Sequence, residues 1–176
     1  MTTHIQLLDT AVHAKIRSRY ATEIDQLQNL GFSELGFYGE QLSAFSAVFL
    51  FPMVLLMRRK GEMISIQWPF RLTAWYILMA QAETGTYALP MGLGVKFYTR
   101  FRDGSGLISA NFPSQAVPKK ETGITKYSGA RGVAEAWTLH RRALEEMTAG
   151  GREIERRTNL ERFAEISRKE DDIERT

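Results

Sequence analysis

The chain has 176 residues, of which 44% are hydrophobic and 24% are charged, and it contains no cysteine. Its length suits one packed domain, and the lack of cysteine excludes disulfides, thiol nucleophiles, zinc sites built on cysteine and iron–sulfur clusters. The net charge of +3 is uneven, because residues 58–131 carry 11 Lys and Arg against 4 Asp and Glu. Such a basic centre would suit an anionic surface. It is also typical of a sheet with Lys and Arg on its solvent face, which is the interpretation we favour.

The N-terminal part predicts an amphipathic helix over residues 5–30, because apolar side chains recur there at steps of three and four. Gly31 is suited to end this helix in a left-handed conformation. The first thirty residues show neither a basic segment followed by an apolar stretch nor a small-residue cleavage site, so no secretory signal is predicted. We therefore expect a cytoplasmic protein, or one on the cytoplasmic face of a membrane.

The most unusual segment is the uncharged run of residues 41–57, which ends at Arg58-Arg59-Lys60. A membrane helix needs about 20 apolar residues, so this run is at the short limit. Pro52 in its middle is unfavourable both for an isolated helix and for a central strand. One interpretation buries the run in the core, and the other inserts it into lipid with the basic triplet on the cytoplasmic side. We favour the buried run, in a protein that touches a membrane or a larger complex without crossing the membrane.

The middle of the chain predicts strands. Apolar and polar residues alternate, or apolar residues occupy both faces, in residues 64–68, 72–79, 95–102 and 107–112. The sequence Asp-Gly-Ser-Gly at residues 103–106 predicts a hairpin turn between the last two strands. These short, turn-linked strands favour an antiparallel meander over alternating strands and helices.

The C-terminal part predicts a loop over residues 113–128 and a second amphipathic helix over residues 130–149, capped by Ser128 or Gly129. Gly150-Gly151 interrupts this helix, and a heavily charged segment follows with few large apolar residues. We expect this segment to be a solvated helix or a docking arm, because its apolar residues are too sparse to pack fully on its own domain. The predicted fold class is α+β. Residues 1–150 form a single domain, in which a mostly antiparallel sheet is packed by an N-terminal and a C-terminal amphipathic helix, and residues 151–176 form a charged helical arm.

No catalytic, metal or cofactor site is predicted. The three histidines, His4, His13 and His140, show no metal-binding spacing, and the sequence contains no HExxH, phosphate-loop or GxSxG pattern. His140 falls on the apolar side of its helix, one turn from Trp137, and we interpret it as a half-buried structural histidine. The alternative is an enzyme with a small-molecule pocket near His140 and Trp137.

The predicted function is that of a non-catalytic interaction or accessory protein. Its candidate contact residues lie on one face of a strand and in the charged arm: Lys96, Tyr98, Arg100, Arg102, Arg156 and Phe163. We expect a protein partner or a second copy of the chain, with a membrane surface as a further candidate. A nucleic acid ranks lower, because a single tyrosine among cations is a poor stacking platform. A third alternative is a membrane-anchored protein held by residues 41–57.

Four segments of the sequence resemble a family of proteins of cyanobacterial type to which no activity is assigned. They are Leu50–Met57, Met91–Thr99, Leu107–Phe112 and Ala134–His140. The resemblance implies that these segments belong to one unit. It carries no catalytic or binding residue over to this chain.

Overall fold

The structure, a computed structural model, describes residues 10–42, 64–67, 71–91, 94–112, 124–127 and 130–166. The helices in these ranges are α1 (Thr10–Arg19), α2 (Ala21–Asn29), α3 (Val133–Ala149) and α4 (residues 160–166). The strands are β1 (Ser33–Leu42), β2 (Ile64–Gln67), β3 (Arg71–Gln81), β4 (Thr86–Met91), β5 (Gly94–Arg100), β6 (Gly106–Ala110) and β7 (Ile124–Tyr127).

All seven strands belong to one sheet, in the order β1-β3-β4-β5-β6-β7, with β2 paired to β3. Strand β1 covers one edge of β3, so β2 and β4 share the other edge, at opposite ends of β3. Strands β3 to β6 form the predicted antiparallel meander, and β5 and β6 are joined by the predicted hairpin. The predicted α+β class is confirmed.

Three details of the predicted elements are wrong. The segment predicted as a loop contains β7, which pairs in parallel with β6. The predicted N-terminal helix divides at Tyr20, whose backbone (φ −100°, ψ 18°) departs from helical geometry. The apolar face continues across this break, because Ile16, Tyr20, Ile24 and Leu27 are all buried. Helix α3 begins after Gly132, so neither Ser128 nor Gly129, which lie outside the described residues, is its N-cap.

Glycines end α2 and α3 in the same way. Gly31 and Gly151 both have positive φ (85° and 90°). After α2, the Phe32 N–H donates to the Leu27 carbonyl (3.0 Å), and the Gly31 N–H donates to that of Gln28 (2.9 Å). This is the Schellman arrangement, which satisfies carbonyls at the helix end. The predicted left-handed conformation of Gly31 is confirmed.

Both faces of the sheet are covered. On one face, α1, α2 and α3 enclose a core that includes Trp75, Ile77, Phe97 and Trp137. On the opposite face, residues of the C-terminal segment cover Tyr87, Leu89, Tyr98 and Ile108. The sheet is therefore the middle of three layers.

The described part of the charged arm is not a solvated helix. Phe163, Ala164 and Ile166 are buried against the second face of the sheet. Few apolar residues suffice here, because these three side chains lie on strands whose side chains on this face are themselves apolar. The prediction that this segment is too poor in apolar residues to pack on its own domain is wrong for residues 152–166.

The uncharged run of residues 41–57 lies outside the described residues, except for Gln41 and Leu42, which end β1. Its burial in the core therefore stays a prediction. Within the ranges that the structure covers, no helix is both long enough and apolar enough to cross a membrane.

Candidate functional site

His140 lies beneath the surface rather than in a pocket. It is 0% exposed and projects from α3 toward the sheet, between the rings of Trp137 (5.7 Å between centroids, stacked) and Phe97 (5.8 Å). The predicted structural role fits this position, but the prediction of half-burial is wrong. The face of α3 that carries His140 and Trp137 is pressed against β5 and β6, so the imidazole lies wholly in the core.

Both ring nitrogens of His140 have hydroxyl partners. Nδ1 lies 3.0 Å from Ser109 Oγ on β6, and Nε2 lies 2.9 Å from Thr99 Oγ1 on β5. Thr99 Oγ1 is in turn 2.7 Å from Thr86 Oγ1 on β4. Buried polar groups need such partners, because an unpaired one costs about 1–3 kcal/mol. Three adjacent strands thus each supply one hydroxyl to a polar layer inside the core.

Burial keeps the imidazole neutral. Desolvation lowers the pKa of His140 from 6.5 to about 3, because the surrounding core cannot solvate an imidazolium. A general acid or base must reach the substrate and change protonation near the working pH. In the described fold, His140 meets neither condition, and it holds the core together.

The hydrogen bonds continue from His140 to the surface. Thr84 Oγ1 lies 3.0 Å from Thr86 Oγ1 and 2.8 Å from Gln81 Oε1. Gln81 Nε2 donates to the Leu30 carbonyl at the end of α2 (2.7 Å). We call the series Ser109–His140–Thr99–Thr86–Thr84–Gln81 the His140 relay. It joins the buried histidine to two half-buried side chains at the turn between β3 and β4.

An open groove lies where the relay reaches the surface. It has a volume of about 760 Å³, lies between the end of α2, the β3–β4 turn and the outer side of α3, and is called the Trp137 groove below. Its lining residues are Asn29, Leu30, Gln81, Glu83, Thr84, Ala134, Trp137, Thr138, Arg141, Arg142 and Glu145. A smaller groove of about 390 Å³ shares Asn29, Leu30 and Ala134 with it. The two grooves adjoin each other beside the N-terminal part of α3.

The charges around the Trp137 groove have both signs. Arg141 and Arg142 lie beside Glu145 and Glu83, and Arg141 is ion-paired with Glu145 (3.6 Å). Arg142 bonds to Glu146 one turn along α3 (3.0 Å). Two arginines and two glutamates therefore balance among the lining residues. Trp137 is among the lining residues but is only 5% exposed, so little of its indole faces the groove.

The predicted contact residues differ in their exposure to solvent. Tyr98 is 2% exposed and meets the edge of Phe163, which is 7% exposed, at 6.4 Å. The prediction that this sheet face is open to a partner is wrong at Tyr98 and Phe163, because α4 covers it. Lys96 and Arg100 are partly exposed, and the Arg100 guanidinium lies 3.4 Å from the Tyr98 hydroxyl.

The remaining two predicted contact residues, Arg102 and Arg156, are exposed. Arg102 is exposed and ion-paired with Glu153 (2.9 Å). Arg156 is exposed in the segment that leads to α4. The six predicted contact residues therefore do not share one accessible surface.

The segment before α4 is fastened to the sheet by its backbone. The Glu155 N–H donates to the Arg100 carbonyl, and the Arg102 N–H donates to the Glu153 carbonyl (2.9 Å each). The Tyr87 hydroxyl donates toward the Arg157 carbonyl (3.1 Å), and burial raises the pKa of Tyr87 to about 12. Arg162 also pairs with Glu155 (2.5 Å). These contacts hold residues 153–162 in place as part of the fold.

Sequence reasoning identified Trp137 and His140 but missed the relay and the groove. Thr99 was visible as a polar residue among Val95, Phe97 and Phe101 on the inward face of its strand. A polar residue at such a position needs a buried partner, and His140 was the obvious one. Gln81 and Thr84 gave no comparable sign, because they lie in an ordinary turn.

The described residues hold no group of three or more His, Asp or Glu side chains that could bind a metal ion. Comparison of the chain with protein-family models, with curated proteins and with solved structures finds no match.

Proposed function

We propose that the protein is a non-catalytic interaction protein and that it binds an extended segment of a protein partner in the Trp137 groove. The observation that carries this proposal is the shape of the groove. It is a partly open depression beside α3, next to a smaller one with which it shares lining residues, rather than an enclosed cavity. Small-molecule sites bury most of their ligand, whereas a groove that is partly open to solvent also suits a segment of a protein chain.

The lining also suits a protein segment. The rim carries two arginines, a glutamate and a threonine on exposed positions of α3. Arginine is enriched at the energetic centres of protein interfaces. A rim that carries both signs of charge favours a partner segment that also carries both signs. Such charge pairs fix the orientation of the partner more than they raise its affinity.

The test uses the full chain with a photo-crosslinking amino acid at Thr138, an exposed lining residue. We expect it to capture a defined protein, and a second protein with the crosslinker at Glu161, exposed on α4, not to capture it. The captured partner is then purified and its affinity for the wild type and for Thr138→Trp is measured by calorimetry. Because the indole fills the groove, we expect at least a tenfold loss, with Glu161→Trp as the matched control. Equal affinities for all three proteins would refute the proposal.

The other interpretations remain predictions. An enzyme with a pocket near Trp137 and His140 would show turnover that His140→Ala abolishes. Binding through the C-terminal segment would be lost on deletion of residues 152–176, although this deletion also uncovers the second face of the sheet. Nucleic-acid binding would weaken steeply with salt and on neutralising Lys96 and Arg100.

A further inference from the structure

We propose that the protein forms a domain-swapped dimer, in which two chains exchange α1 and α1 of each chain packs on β1 and β3 of the other. Domain swapping is a low-cost route to dimers, because it reuses contacts that the monomer already makes. The feature that carries this inference is the break between α1 and α2 at Tyr20. The exchange does not involve the Trp137 groove, so it is independent of the proposed function.

The sequence around the break favours one straight helix. Residues 10–29 contain neither glycine nor proline, the two residues that most disfavour a helix interior. The buried side chains of both helices recur at steps of four, four and three, and so form one stripe along a continuous helix: Ile16, Tyr20, Ile24 and Leu27. Nothing in the local sequence therefore requires a break.

The break is confined to the backbone around Tyr20. The Tyr20 N–H donates to the Ile16 carbonyl (3.2 Å), and the Ile24 N–H donates to the Tyr20 carbonyl (2.8 Å). Hydrogen bonds of helical spacing thus reach Tyr20 from both sides. Turning its ψ from 18° toward the helical value of about −42° would bring α1 and α2 into line.

The packing of the folded chain imposes the break. Helix α1 lies on β3 and contacts β1, whereas α2 lies on β4 and against α3. Neighbouring strands in a sheet are rotated relative to each other by about 20–25°. A layer that follows the sheet from β1 to β4 therefore bends. A straight helix that keeps α2 in place lifts α1 away from β1 and β3.

Helix α1 places little apolar surface in the core. From residue 13 to residue 19, Ile16 alone is buried. Nearer the surface, His13 stacks on Phe37 (4.1 Å between ring centroids), and Arg17 pairs with Glu34 (2.7 Å). The Arg17 side chain is 59% exposed, and such an ion pair contributes little to stability. Helix α1 can therefore leave the sheet while α2 stays in place.

The surface beneath α1 determines what replaces it. Phe37 is only 9% exposed with α1 in place, and Ile16 belongs to the same apolar cluster as Phe37, Trp75 and Ile77. Lifting α1 exposes part of this cluster to water, which is unfavourable. A second copy of the chain supplies the same helix, with Ile16 and Arg17 spaced to fit this surface. Reciprocal exchange restores these contacts in both halves of a dimer, so the occupant is a second copy.

The test uses two full-length proteins with one introduced cysteine each, because the chain has no cysteine of its own. One carries Arg17→Cys on α1 and the other carries Glu34→Cys on β1, two positions whose side chains meet in the structure. The two proteins are equilibrated together at high concentration in urea just below the unfolding transition. The urea is then removed, and a short bismaleimide is added. We expect a covalent dimer whose link joins positions 17 and 34 of different chains, identified by mass spectrometry.

A matched pair controls for random collisions. Arg17→Cys mixed with Glu161→Cys, which is exposed on α4 at the opposite face of the sheet, should give less than about a tenth as much of the crosslinked dimer.

A double variant with both Arg17→Cys and Glu34→Cys tests whether the dimer depends on release of α1. Linked within one chain at low concentration, α1 is fastened to its own β1. After the same incubation, light scattering should show at least tenfold less dimer for the linked protein than for the unlinked one.

Three results would overturn the exchange of α1. They are the absence of dimer at high concentration, equal amounts of dimer in the linked and unlinked double variant, and a dimer without a link between positions 17 and 34 of different chains. None of these results affects the proposed function, which is tested by capture at Thr138.

Discussion

The buried histidine predicts a specific loss of stability in acid. His140 is neutral in the folded state because burial lowers its pKa to about 3, whereas the unfolded chain has the ordinary value of 6.5. Above pH 6.5 both states are neutral at this residue, and its contribution to stability is fully present. As the pH falls below 6.5, the unfolded state takes up the proton first, so the free energy of unfolding decreases by about 1.4 kcal/mol per pH unit until the folded pKa is reached.

Between about pH 7.5 and pH 5.0, this linkage amounts to about 2 kcal/mol. Urea unfolding of the wild type and of His140→Gln at both values measures it, because glutamine has no titratable group and the other two histidines are present in both proteins. We expect the variant to lose about 2 kcal/mol less than the wild type over this range.

If His140→Gln does not fold, the imidazole signals of His140 in the wild type, assigned separately from those of the other two histidines, give the same information. They should not titrate above about pH 4 while the protein remains folded. An equal pH dependence of the two proteins, or a His140 imidazole that titrates near 6.5, would refute the assignment of His140 as a buried neutral residue.

Three further predictions concern the fold. Phe163→Ala should destabilise the protein by about 3–5 kcal/mol, because it opens a cavity under α4, whereas Ala at the exposed Glu161 should change stability by less than about 0.5 kcal/mol in the same urea titration. Gly85→Ala should lower the free energy of unfolding by about 1–3 kcal/mol, because φ is +64° and a Cβ would lie 2.7 Å from Ile154. As a control, Gly132→Ala should lower it by less than about 1 kcal/mol, because a Cβ there meets no atom within 4 Å. Leu55→Ala should lower the free energy of unfolding by about 2–5 kcal/mol if the uncharged run of residues 41–57 is part of the core. This would be contradicted if the unfolding transition did not change and the protein needed detergent for extraction after a carbonate wash.

The elements that the sequence predicts well are those with a local pattern. The strands from 95 to 110 alternate regularly around a turn rich in glycine, and the apolar steps from Ile16 to Leu27 define the buried face of the N-terminal helices. Gly31 is predicted for the same reason, since a helix end that needs positive φ favours glycine.

The elements that the sequence does not predict depend on distant partners. Strand β7 has four residues, and its place is fixed by parallel pairing with β6. In the sequence, Phe163 and Ile166 are too few to predict that their segment packs on the domain. They do pack, because the strands beneath them are also apolar on this face. The Trp137 groove forms where the β3–β4 turn meets α3, which lies about fifty residues further along the chain. No local sequence pattern can therefore predict it.

The surface contacted by the partner tests the central claim most directly. Nitrogen-15 amide spectra of the full chain map this surface residue by residue. They are recorded with and without the captured partner. We predict that the largest shifts fall on residues 81–85 and on α3 from Ala134 to Glu145, which border the groove. Shifts confined to residues 152–166, with the groove residues unchanged, would contradict the account.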